Sequence, residues 1–210
     1  WPSGGPVKAE TLGESTPELE DQKDRVVGFM NYQYTTEMPG AYETEDNLLF
    51  RLPLSGSCFT KVYRDPLNGG LVRKFIDPNY FICPYGATSL RDAPRYTHMF
   101  YETENTVLKK QKKGFYRDVQ LSSPYEDADT GTTTQEVRDT IDDAEGRDQV
   151  NIAEDQRHTM LEMHVDLDIV GFEDKGEGGE ATGIALPYVV TVERGSYKVL
   201  SIYRNWREGD

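Results

Sequence analysis

The chain has 210 residues, 36% of them hydrophobic and 29% charged, with a formal charge of −14. That length allows one core or two, and no apolar run approaches the roughly 20 residues a membrane-spanning helix needs. The acidic balance argues against non-specific phosphate binding by the surface as a whole.

The charge is uneven. Glu126 to Asp155 holds eleven acids and two arginines, a net of −9. The N-terminus, Trp1-Pro2-Ser3, shows no signal-peptide pattern and no initiator Met, so the sequence is read as an excised or processed piece. Cys58 and Cys83 sit in strand-like apolar settings. They are expected to be two buried free thiols, with a disulfide as the other option.

Residues 1–16 read as an extended or poorly ordered lead-in. Ser15-Thr16-Pro17-Glu18 is a helix start: a hydroxyl cap, Pro in the first turn, acids following. Leu19, Val26, Val27, Met30 and Tyr34 then share one helical face, and Met38-Pro39-Gly40 ends it. A second helix is expected from Tyr42 to Leu52, burying Leu48, Leu49 and Leu52 and closing an αα-hairpin with the first.

Strands are predicted over 56–64 and 71–76, around the turn Asp65-Pro66-Leu67-Asn68-Gly69-Gly70. Two short ones follow over 79–83 and 95–101. A helix capped by Thr103 or Asn105 spans 106–113 and closes at Gly114. A surface helix begins near Thr130, with Val137, Ile141 and Ala144 as a narrow apolar stripe. The run 159–169 alternates, with Leu161, Met163, Val165 and Leu167 on one side. Residues 171–183 form a mobile acidic loop.

A C-terminal hairpin follows. Its arms, 186–193 and 197–204, are rich in β-branched and aromatic residues, and Gly195 in the turn is free to take φ > 0. Val199 and Ser201 are expected on one side, Leu200 and Ile202 on the other. A lone ribbon is marginal in water, and the run from His158 to Ile169 is its expected partner. The class is α+β: an N-terminal helical hairpin, then antiparallel strands with inserted helices.

Candidate chemistry is sparse. The polar side of the 158–169 strand carries His158, Glu162, His164, Asp166 and Asp168. Alternate residues lie about 7 Å apart, wide for ligands of one ion. We read this side as solvated or subunit-facing, with a metal-assisted hydrolase using His158, Glu162, His164 and Asp166 as the alternative. Asp127 to Gly131 resembles a calcium loop, but the glycine falls at the fifth place and Arg138 takes the twelfth. Gly176 to Gly179 lacks the Lys and Ser/Thr of a phosphate loop. His98 is expected to be packed or partnered. Lys109, Lys110, Lys112, Lys113 and Arg117, beside Phe115 and Tyr116, form the one basic patch, a subunit-contact or DNA-facing candidate.

Five segments, in this order, carry a resemblance: MNYQYTTEMPGAYETEDNLLFRLPLSGSCFTKVYRDP, FICPYGATSLRDAPRYTHMF, GFYRDV, LEMHVDLDIVGFED and GIALPYVVTVERGSYKVLSIYRNW. Together they resemble the portal, or head-to-tail connector, proteins of podovirus-like tailed bacteriophages. The likeness runs from Pro17 to Asp210 and is weakest over 121–157, an acidic insertion. It implies a single portal wing-like domain over 17–210, without stem, clip or crown. It further implies a ring, usually of twelve subunits, at one capsid vertex. Double-stranded DNA passes through that ring in packaging and ejection. The implied partners are other portal subunits, capsid protein and scaffold, with terminase and tail adaptor meeting absent parts. The implied location is the virion, assembled in the host cytoplasm, with no catalysis, cofactor or membrane. On this reading the basic patch and the acidic 126–155 segment are candidates for a subunit pair, and the acidic balance keeps the conduit from binding its cargo.

Overall fold

Thr16 caps the first helix, α1 (Pro17–Tyr32), its hydroxyl accepting from the Leu19 N–H at 3.3 Å. The computed structural model describes residues 4–122, 157–175 and 179–206. The expected helix after Thr130, the calcium-like loop, residues 176–178 of the glycine run and the acidic 126–155 segment lie outside them. The fold is α+β, with three α-helices and two antiparallel sheets among the described residues. None of these helices is long and apolar enough to cross a membrane. The chain divides into two compact units, residues 1–78 and 79–210.

In the first unit the lead-in is extended but fastened. Asn31 accepts from the Val7 N–H at 2.9 Å and donates to the Val7 carbonyl at 3.2 Å. The Thr11 and Ser15 hydroxyls donate to Glu20. After α1 the backbone widens into one π turn over 33–37, which carries Tyr34. The second helix, α2 (Ala41–Ser55), runs three residues past the expected end. Its inward residues are Ala41, Thr44 and Leu48, while Leu49 and Leu52, expected to be buried, are exposed. The small Ala41 and Thr44 let the helix approach the following ribbon, where the Thr44 hydroxyl donates to the Arg73 carbonyl at 3.0 Å.

Gly56 ends α2 with φ 72°, its N–H bonded to Leu52 O, so strand β1 (Phe59–Arg64) starts later than expected. The turn to β2 (Leu71–Ile76) is built by Asp65, whose carboxylate accepts the N–H groups of Leu67 and Asn68. β1 and β2 form their own two-stranded sheet, with Val62 opposite Arg73. Arg73 ties it to both helical parts, pairing with Glu45 and donating to the Tyr34 hydroxyl. Burial, and the hydrogen bond Tyr34 donates to Glu45, push the Tyr34 phenol up to about 12.

The second unit is a five-stranded antiparallel sheet in the order β3-β4-β5-β6-β7. β3 is only Phe81–Ile82, because a 3-10 turn takes 78–80. β4 is Arg95–Thr103, β5 Arg157–Leu167, β6 Leu186–Glu193 and β7 Val199–Arg204. The expected pairing of the C-terminal hairpin with the 158–169 run is present as β5–β6. Between β4 and β5 lies α3 (Glu104–Lys112), capped by the Thr103 hydroxyl on the Thr106 N–H and closed by Gly114 at φ 74°. Removing that cap with Thr103→Ala is expected to lower stability by about 1 kcal/mol, read by urea denaturation.

Two expectations for this unit are corrected. The left-handed residue of the last hairpin is Tyr197, φ 54°, rather than Gly195. A bulge follows: Thr191 faces Ser201 but Val192 faces Val199, so Leu200 is the extra residue. Leu200 and Ser201 are therefore both buried, where simple alternation put them on opposite sides. The loop over 171–183 is folded back at its base, the Thr182 N–H and hydroxyl donating to Asp174. In both units the cysteines are free, but Cys58 is only half-buried and Cys83 is exposed.

Candidate functional site

One side of the sheet has a different fate from that expected. Cross-strand register puts Phe100, Met160 and Glu193 in one row, with Glu102–His158 and His98–Glu162 as neighbouring pairs on the same side. This is the side expected to be solvated or subunit-facing. Instead it carries the core: Met160 is 0% exposed and His158 2%. Val107 of α3, Tyr116 and Leu200 pack on Met160, with Phe100, Phe115, Val119 and Leu121 around them. The apolar residues of the other side, Leu161, Met163, Val165 and Leu167, are only half-buried. Alternation identified the two sides correctly, but helix α3 covers the mixed one.

Covering that side requires partners for its polar groups. Glu193 is 0% exposed and takes the N–H groups of Gly195 (3.2 Å) and Ser196 (2.7 Å) together with the Ser196 hydroxyl. The His158 imidazole lies 3.5 Å from the same carboxylate. Burial alone raises the Glu193 pKa, but the Ser196 and Gly195 donors and His158 outweigh it and hold the carboxyl below its usual range. Next along the sheet, Glu102 pairs with Lys110 from α3. Lys110 lies over the rings of Tyr116, Phe115 and Phe100, at 4.9, 5.8 and 5.9 Å, and donates to the Tyr116 hydroxyl at 3.3 Å. Burial, with Glu102 and Glu162 adding, pushes the Tyr116 phenol up. His98 is buried and stacked on Phe100, a packed histidine as expected.

The proposed ligand row is dispersed. His164 stacks on Tyr96 at 4.5 Å and reaches Glu162 at 3.4 Å. His158 turns to Glu193 instead, and Asp166 and Asp168 are exposed. Among the described residues no three His, Cys, Asp or Glu side chains converge as a ligand set.

The basic patch loses one member. Lys110 faces the sheet, while Lys109, Lys112, Lys113 and Arg117 face outward, Lys112 lying 3.4 Å from Asp118. Lysines in the last turn also complement the negative end of α3. Sequence reasoning missed Glu193 and Glu102 altogether. The signal available for Glu193 was its place: the last residue of an apolar strand, three before a serine, where a carboxylate can cap the turn it enters. No protein-family model matches this chain, and no curated protein matches it.

Proposed function

We propose that this chain is the wing part of a phage portal protein, a structural subunit that builds a ring around a DNA conduit and carries out no catalysis. The ordered series of portal-like segments supports this reading. The observation that carries it in the structure is the imbalance of apolar surface in residues 4–78. Among them the buried apolar side chains are Ala41 and Ile76, while Leu19, Val26, Phe29, Met30, Phe50 and Leu54 are exposed. Large apolar patches on a soluble chain mark contact surfaces. A subunit that completes its core against neighbours has this distribution. The outward Lys109, Lys112, Lys113 and Arg117 suit the acidic or phosphate-bearing surfaces such a ring meets.

The test is solution mass by light scattering, on this chain and on a longer one that adds the stem and clip implied by the portal reading. The longer chain is expected to form a ring of about twelve copies, and charge reversal at Lys112 and Lys113 is expected to weaken it. A longer chain that stays monomeric overturns the reading.

A further inference from the structure

We infer that the outward side of α2 seats a neighbouring copy of this chain; the inference rests on the ring reading above. At 100° per residue, Ala41, Thr44 and Leu48 fall on one side of α2. Tyr42, Leu49, Phe50 and Leu54 fall on the other. The first group packs inward. The second is 60%, 67%, 69% and 70% exposed. Pro53 lies among them on the same side and adds apolar surface. Large apolar side chains gathered on an uncovered helix side mark a contact surface.

The chemistry of that side narrows the occupant. Its charged residues are Glu43 and Asp46, and no lysine or arginine joins them. Phosphate, whether of DNA or of a lipid headgroup, is repelled there. An apolar protein surface fits. Four large side chains at roughly 150–200 Å² each, about two thirds exposed, present on the order of 400–500 Å². A free-standing complex of ordinary size takes about 800 Å² from each partner. The patch is therefore too small to hold a separate protein by itself. It is large enough for one contact repeated around a closed ring, where every copy is held on two sides.

The test places p-benzoylphenylalanine at position 50 in the longer, ring-forming chain. Rings are assembled from mixed isotope-labelled and unlabelled copies, irradiated, and their cross-linked peptides read by mass spectrometry. Peptide pairs that mix the two labels are expected. Cross-links confined to one label locate the occupant in the same chain and overturn the inference, as does attachment to another protein or no cross-link at all. The paired substitution Phe50→Ser with Leu54→Ser is expected to weaken assembly by about tenfold or more while leaving the circular dichroism of the monomer unchanged. Rings that form normally with both serines present overturn the inference and leave the ring reading standing. A wild-type longer chain that forms no ring overturns the ring reading itself.

Discussion

Glu193→Ala is expected to destabilise the second unit by about 3 kcal/mol, seen as a lower urea midpoint by circular dichroism. The carboxylate is fully buried, and each neighbour depends on it: the Gly195 and Ser196 N–H groups, the Ser196 hydroxyl and the His158 ring. Alanine leaves the part-buried Gly195 and Ser196 donors without that acceptor and opens a gap beside the buried His158. It also releases the turn that keeps Tyr197 at φ 54°, a conformation that a tyrosine holds only when its surroundings impose it. The effect has a pH signature. The folded Glu193 carboxyl titrates below its unfolded value of 4.5. Its stabilising contribution is therefore complete above about pH 4.5 and is lost as pH falls through the depressed folded value. Glu193→Gln removes that contribution at every pH, so the gap between wild type and Gln variant is expected to close on acidification. A gap that stays constant down to pH 2 would refute the assignment.

Glu102→Ala is expected to cost a similar amount, about 3 kcal/mol, by leaving the Lys110 ammonium beneath Phe100, Phe115 and Tyr116 without its carboxylate. Lys110→Met strands Glu102 in the same way. The informative variant is the pair, Glu102→Leu with Lys110→Met, which removes both charges and fills the space with apolar atoms. It is expected to recover most of either single loss, giving a coupling energy of about 2 kcal/mol in a double-mutant cycle. If Glu102→Ala changes the urea midpoint little, Lys110 reaches water along its aliphatic stem, and α3 is held by Val107 and Tyr116 alone.

These two sites show where the sequence was legible and where it was not. Local rules placed the elements well: the Thr16 and Thr103 caps and the Asp65 turn follow from residues within a few positions of one another, and the β5–β6 pairing from the need of a lone ribbon for cover. The choice of which sheet side to cover did not follow. Period-two alternation on β5 separates Leu161, Met163, Val165 and Leu167 from His158, Met160, Glu162 and His164. Hydrophobicity then favours burying the first set. Of the second set the fold buries Met160 and His158, the latter against Glu193 on β6, a partner far away in sequence that leaves no local pattern. The same limit explains Lys110. Four lysines close together read as one patch, but helical geometry turns one of them inward, and only Glu102 on the preceding strand shows why. For α2, the apolar count predicted burial of Leu49 and Leu52. The small residues Ala41 and Thr44 decided which side approaches the ribbon instead.

The bulge at Leu200 has a consequence for how this chain can vary. With the extra residue in place, Leu200 reaches Met160 and Val107 on the covered side. Without it, Val192 would face Leu200 directly, and that leucine would lie on the opposite side with Val190 and Ile202. The core would lose a fully buried side chain without any change of residue type nearby. Between Thr191 and Ser201, then, residue number is constrained as tightly as the identity of Glu193: a single insertion or deletion there turns Leu200 out of the core.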